Sequence, residues 1–239
     1  YDDSKIKLTR NIKYIKKLVK REKVQKLLDV GSSDGKLLLA LQNFNMVAMG
    51  VEPNTSAATN CRKLGLQVKD GFFTKEKFAG QKFQLINFAD VIEHVADPKL
   101  MLQDALSILE LNGLIVIRTP NLDSLWSKLT LIISKISSVP WSSLTPPKHL
   151  SNFSHENLKD FLRLDELRLE NTFFEPPTLF YELGQLHLLR DFRQKKSFIN
   201  LGRLFLGYAW YTFIFILLKV VSPITHKNFS QTITVRKVI

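Results

Sequence analysis

Apolar residues along the first half of this chain fall in short blocks of two kinds. Some recur every three or four positions. Ile12, Ile15, Leu18 and Val19 do so within SKIKLTRNIKYIKKLVKR (4–21), which predicts an amphipathic helix. Others form short apolar runs bounded by turn residues, as in residues 24–30, VAMGVE (47–52), 66–69, FQLINFAD (83–90) and LIVIRTP (114–120), which predict strands. Between them the pattern predicts helices from Gly35 to Phe44, from an Asn54 cap to about Leu64, and from Asp97-Pro98 to Asn112-Gly113. Strands alternate with helices up to residue 120. That order implies a doubly wound, mostly parallel α/β sheet with right-handed crossovers.

The remainder follows another pattern. NLDSLWSKLTLIISKISSV (121–139) is amphipathic, and a proline-rich joint follows it. A capped helix is expected over 154–164. ELRLENTFF (166–174) and QTITVRKVI (231–239) alternate polar and apolar positions, so both are expected strands, which makes seven. Between them, LFLGYAWYTFIFILL (204–218) runs for fifteen residues without a charge. A spanning helix needs about 20 apolar residues. The stretch is short for that role and suits a buried or an interfacial helix.

Composition changes this picture in two places. The formal net charge is +12, and residues 1–28 hold ten Lys/Arg against three Asp/Glu. A solvated helix face accounts for such a run. So does attraction to an anionic surface, where lipid is favoured because no nucleic-acid motif or interleaved aromatic residue is present. The single cysteine, Cys61, forms no internal disulfide, which fits a reducing compartment. No signal peptide is visible in the residues given.

The candidate chemistry sits in LLDVGSSDGKLLLAL (27–41). A strand that turns through Gly31 and Gly35 into a helix is a nucleotide-type loop. Twenty-one positions after Gly31, the second strand ends in Glu52, whose carboxylate can accept from both ribose hydroxyls. Asp34 stands where a dinucleotide would seat its pyrophosphate, and the third glycine of that fingerprint is missing. Loop and acid therefore point to a nucleoside without phosphates, and S-adenosylmethionine is the candidate.

At this point the chain resembles the class I, Rossmann-like S-adenosylmethionine-dependent methyltransferases, and in particular the ubiquinone-type and related small-molecule group. LDVGSSDG stands for the family's first motif and the acid of GVEPN for its second. Asp70 in VKDGFF stands for the third. FQLINFADVIEHVADP, LSILELNGLIVIRTPN and PKHLSNFSHENLKDFL follow in order. The resemblance covers roughly residues 24–175. It implies a single domain over 1–239, with a basic helix at 1–22, a cofactor-binding core at 24–120, and apolar helical insertions at 121–150 and 177–228 forming a substrate lid.

The resemblance also implies roles. Asp29, Gly31, Ser32, Ser33 and Gly35 surround the methionine part of the cofactor. Glu52 binds the ribose, with Pro53 beside the adenine. Asp70 accepts from the adenine amino group, and Gly71 and Phe72 shape that pocket. Ala89, Asp90 and Val91 lie near the sulfonium. Ser33 replaces the motif's usual second glycine, and its hydroxyl could bond the ligand carboxylate. His94 and His149 are the expected catalytic residues, because histidine suits general base work near neutral pH; His155 is a weaker candidate at a helix start. Asp90, Glu93, His94 and His149 also resemble a divalent-metal set of small-RNA 2′-O-methyltransferases. The same pattern is common in metal-free relatives, and no metal is expected.

The expected activity is methyl transfer to an oxygen or other nucleophile of a small-molecule or lipid-linked acceptor. Peripheral contact with an anionic membrane is expected, and no nucleic acid. The corresponding location is cytoplasmic, at the inner face of the membrane. Two other readings are cofactor binding without turnover and a nicotinamide-dependent oxidoreductase.

Overall fold

The expected alternation is present in the computed structural model, which describes residues 9–125, 127, 128, 131, 132, 135, 149–175 and 229–239. The helices are α1 (Arg10–Glu22), α2 (Lys36–Leu41), α3 (Thr55–Lys63), α4 (Pro98–Ile108) and α5 (His155–Phe161). The strands are β1 (Lys26–Val30), β2 (Val47–Glu52), β3 (Gln67–Asp70), β4 (Phe83–Ala89), β5 (Leu109–Pro120), β6 (Leu167–Glu175) and β7 (Ser230–Lys237). They form one seven-stranded sheet in the order β3-β2-β1-β4-β5-β7-β6. Pairing is parallel for β1 with β2, β1 with β4, β2 with β3 and β4 with β5. The chain steps outward from β1 to β3 and then returns to place β4 on β1's other side. The order therefore reverses between β1 and β4, where an open α/β sheet offers its ligand crevice.

Local chemistry explains the elements. The Thr9 hydroxyl caps α1 by accepting from the Ile12 amide at 3.3 Å. The helix buries Ile12, Ile15, Leu18 and Val19 against Leu27, Leu85, Leu114 and Val116 of the sheet and Leu37 and Leu41 of α2. Alternation sends Leu28, Val30, Ile86 and Phe88 to the opposite face, where Met101, Leu102 and Ala105 of α4 cover them. Each fully buried aliphatic side chain contributes about 2 kcal/mol. Arg236 of β7 joins three elements: it ion-pairs with Glu22 at 3.0 Å and Glu170 at 2.9 Å, and donates to the Asn112 carbonyl at 3.0 Å.

Two boundaries differ from expectation. The second helix is shorter than 35–44, ending at Leu41. The fourth helix ends at Ile108, and β5 begins at once with Leu109. Asn112-Gly113 resembles a helix stop but lies inside the strand. Phe83 pairs with Leu109 and Leu85 with Leu114, so the intervening β5 residues bulge. Asn112 takes φ +62°, and a side chain on Gly113 would come within 2.8 Å of the Glu110 carbonyl.

The chain divides into two compact units. One comprises residues 1–120, 146–173 and 232–239 and holds the parallel strands. The other comprises 121–145 and 174–231; in it the Asn121 amide donates to the Phe229 carbonyl at 2.7 Å, and the Ser124 hydroxyl accepts from the Ser127 amide at 3.1 Å. No helix among the described residues is long and apolar enough to cross a membrane. The 204–218 stretch, the 177–228 insertion and most of the 121–150 insertion lie outside the described residues.

Candidate active site

The loop after β1 is a tight turn anchored to β2. The Gly31 and Ser32 amides both donate to the Val51 carbonyl, at 2.8 and 3.2 Å. Gly31 needs to be glycine for two reasons. Its φ is +71°, and an added Cβ would lie 2.6 Å from Val91 Cγ2. Gly35, at φ +74°, would likewise drive a Cβ to 2.6 Å from Leu66 and 2.9 Å from the Cys61 sulfur. Asp34 stands at the start of α2, exposed and paired with Lys36.

The two serines of the loop differ. Ser32 is buried with its hydroxyl turned down toward Gly50, where an added Cβ would lie 2.7 Å away. Ser33 is exposed and adopts φ +49°, the left-handed conformation that its motif glycine would take without cost. Its amide donates to Glu52 Oε2 at 2.8 Å, and its carbonyl accepts from the Cys61 thiol at 3.4 Å. The serine backbone is thus held in glycine's geometry. Ser33→Gly should raise the melting temperature by about 2–4 °C, the equivalent of about 1 kcal/mol for a chain of this size. S-adenosylhomocysteine affinity should stay unchanged; weaker binding in calorimetry would instead assign the hydroxyl to the ligand carboxylate.

Glu52 is the organising acid. Its two carboxylate oxygens accept from the Ser33 amide at 2.8 Å and the Asn54 amide at 2.9 Å. One side chain thereby fixes both the β1 loop and the entry to α3, and each oxygen retains a lone pair for a ligand hydroxyl. Pro53 follows it, exposed. At the end of β3, Asp70 pairs with Arg62 of α3 at 3.0 Å, an ion pair with both partners near 40% exposed. Gly71 takes φ +97° and donates to the Glu52 carbonyl at 2.9 Å. Phe72 beside it is 74% exposed, an uncovered aromatic face next to the Glu52 turn.

Asp29 lies beneath the loop rather than in it. It is buried, and its Oδ1 accepts from Asn87 Nδ2 of β4 at 2.7 Å. The sequence reading missed Asn87. Its signal was a polar residue at a buried position inside the FQLINFA run, opposite Asp29 in register. Burial pushes the Asp29 carboxyl up to about 7 against the Asn87 bond, and the Glu52 charge adds to the rise. A carboxyl raised in the fold gives stability that is full below its unfolded value near 3.8 and is lost as pH rises through about 7. Asp29→Asn should therefore gain about 1–3 kcal/mol over the parent at pH above that range, with the gain shrinking toward pH 4, in denaturant titrations.

The third wall is the turn after β4. Ala89 is half-buried, Asp90 takes φ +56° and pairs with Arg118 of β5, and half-buried Val91 packs over Gly31. A 3₁₀ turn over Ile92–His94 follows. Glu93 is buried; its Oε2 accepts from the Thr119 hydroxyl at 3.0 Å. Burial and the Asp90 charge push its carboxyl up to about 7. Its backbone carbonyl accepts from Leu150 and Ser151 at 2.8 and 3.1 Å, which ties the segment carrying His149 to this turn. The two expected histidines therefore meet: the His94 and His149 rings lie 4.9 Å apart, edge to face. His94 Nε2 is 4.0 Å from Glu93 Oε1. Glu93, His94 and His149 each bring a ligand-type atom within 4.8 Å of the others, a set able to hold a divalent cation. His155 is the first residue of α5 and is not a member of this set.

The carboxyl edge of the sheet thus gathers a reversal of strand order, a glycine turn, buried Asp29 on β1 and Glu52 at the end of β2, and a histidine pair after β4. A model of a methyltransferase domain matches residues 5–170, and the chain belongs to that family. Its cofactor is S-adenosylmethionine. The chain is 28% identical over 150 residues to a ubiquinone biosynthesis O-methyltransferase of a Caulobacter species, covering 60% of this chain and 56% of the relative. It is 26% identical over 121 residues to the Histophilus somni protein of that name, covering 46% and 51%. The chain thus spans about half the length of the curated relatives it matches. A solved S-adenosylmethionine-dependent methyltransferase from Archaeoglobus fulgidus shares the fold at a TM-score of 0.55 and 18% identity, covering 98% of this chain and 97% of that one.

Proposed function

We propose that this chain transfers the methyl group of S-adenosylmethionine to a hydroxyl of a small-molecule or lipid-linked acceptor, with His94 as general base. The observation that carries this reading is the His94–His149 pair at the turn after β4, on the same edge of the sheet as the glycine loop. When bound, the cofactor would supply a methyl group on a positively charged sulfur, which would keep the electron pair of the broken carbon–sulfur bond as a neutral thioether once the acceptor oxygen takes the methyl. His94 would accept the hydroxyl proton at its imidazole. Glu52 accepts from the cofactor's ribose hydroxyls beside the Gly31–Gly35 loop, Asp29 supports that loop from beneath, and Asp70 and Phe72 border the adenine. In-line attack needs alignment and exclusion of water more than any covalent help from the protein.

The names of the curated relatives favour an oxygen acceptor. The uncharged 204–218 stretch favours an apolar or lipid-linked one. Exposed Asp34 at the start of α2 disfavours a pyrophosphate there, and with it a nicotinamide dinucleotide.

A second reading gives Glu93, His94 and His149 a divalent cation that would bind and acidify the acceptor hydroxyl. Their mutual distances favour it. Both readings are tested by supplying methyl-labelled S-adenosylmethionine and a membrane lipid extract. Transfer that survives chelation supports the histidine base, and transfer lost to chelator and restored by Mg²⁺ or Mn²⁺ supports the cation. Cofactor binding without label transfer to any extract would overturn both.

A further inference from the structure

We infer that the outer face of α1 is a docking surface for an anionic phospholipid bilayer. Lys13, Lys17 and Lys20 are exposed on one side of the helix, with Arg10 in line before them and half-buried Lys16 alongside. Their spacing of three and four residues makes a straight stripe about 10 Å long from Lys13 to Lys20. Lys13, Lys16, Lys17 and Lys20 make no ion pair among the described residues. The only acid in the helix, Glu22, is taken by Arg21 and Arg236.

A solvated face does not require this. Like charges at i, i+3 and i, i+4 repel and weaken a helix. Here Lys13–Lys17, Lys16–Lys20, Lys13–Lys16 and Lys17–Lys20 all do so with no acid between them. Such a local conflict, relieved by no acid and only in part by the Phe44 ring beside Lys16 and Lys20, marks a surface kept for a partner. A planar sheet of anionic headgroups supplies compensating charge to every cation at once.

The apolar face of α1 is committed to the core, so the contact is electrostatic and peripheral. Nucleic acid is less well matched. Binding single strands calls for aromatic rings among the cations. Tyr14 is instead turned to Thr234, its hydroxyl 2.7 Å from the threonine oxygen, and Phe44 is covered by Lys16 and Lys20 at 5.6 and 5.5 Å from its centroid. The docking face stands independently of the methyl-transfer reading.

The test is sedimentation of the full chain with vesicles of phosphatidylglycerol and phosphatidylcholine in equal parts, and with phosphatidylcholine alone. At low salt the protein should follow the anionic vesicles only, and salt should release it. The Lys13→Glu/Lys17→Glu/Lys20→Glu protein should bind them about 100-fold more weakly, from roughly 1 kcal/mol per lysine. Its melting curve and S-adenosylhomocysteine affinity should match the parent's, which separates loss of the surface from loss of the fold or the cofactor site. No sedimentation of the parent, equal sedimentation of the triple variant, or tighter binding of the parent to an RNA than to the vesicles would each overturn the inference.

Discussion

His94→Ala should lower kcat roughly 10²–10⁴-fold while S-adenosylhomocysteine binds as in the parent. The reason is positional. His94 lies on the 3₁₀ turn after β4, on the sheet edge that carries the glycine loop, and its side chain is 41% exposed. Truncation removes the proton acceptor without touching the Glu52 network. His149→Ala should cost less, because that ring meets His94 edge to face rather than standing on the β4 turn. Single-turnover transfer with labelled cofactor separates the two losses. Equal binding with equal turnover in His94→Ala would remove His94 from the chemistry.

Glu52→Ala should have the larger effect on the cofactor. It leaves the Ser33 and Asn54 amides without their acceptor, and on the proposed reading it also removes the acceptor for the ribose hydroxyls. Hydrogen bonds to a charged group are worth about 1.5–3 kcal/mol each. S-adenosylhomocysteine affinity should fall by a factor of roughly 100 or more. The melting temperature should drop too, because the loop loses one of its ties to β2. Glu52→Gln separates geometry from charge. It keeps the shape but turns an amide N–H₂ toward a backbone donor, so it should recover part of the stability and little of the affinity. Calorimetry and thermal melts on the two variants measure both effects.

Much of this site was legible in the sequence because its requirements are local. Gly31 and Gly35 are dictated by backbone angle and by Val91, Leu66 and Cys61 packed against them. Glu52 is fixed by its place at the end of a short apolar run. The buried parallel strands read as such runs because both of their faces are covered. What the sequence hid depends on pairing across the fold. Asn87 looks incidental until register sets it against Asp29. His149 reaches His94 because Glu93 holds the 150–151 backbone, which no local pattern announces. Asn112-Gly113 misled because the same residues that end helices also shape a bulge. Ser33 looked like a place for a hydroxyl contact, and the fold shows first a backbone constraint.

The most direct test of the account is calorimetric titration of the full chain with S-adenosylhomocysteine and, separately, with NADH. The geometry of Glu52, the Gly31–Gly35 loop and Asp34 predicts saturable one-to-one binding of S-adenosylhomocysteine, abolished or severely weakened in Glu52→Ala, and no binding of NADH. Saturable binding of NADH, or no heat with S-adenosylhomocysteine from a protein that melts cooperatively, would contradict it.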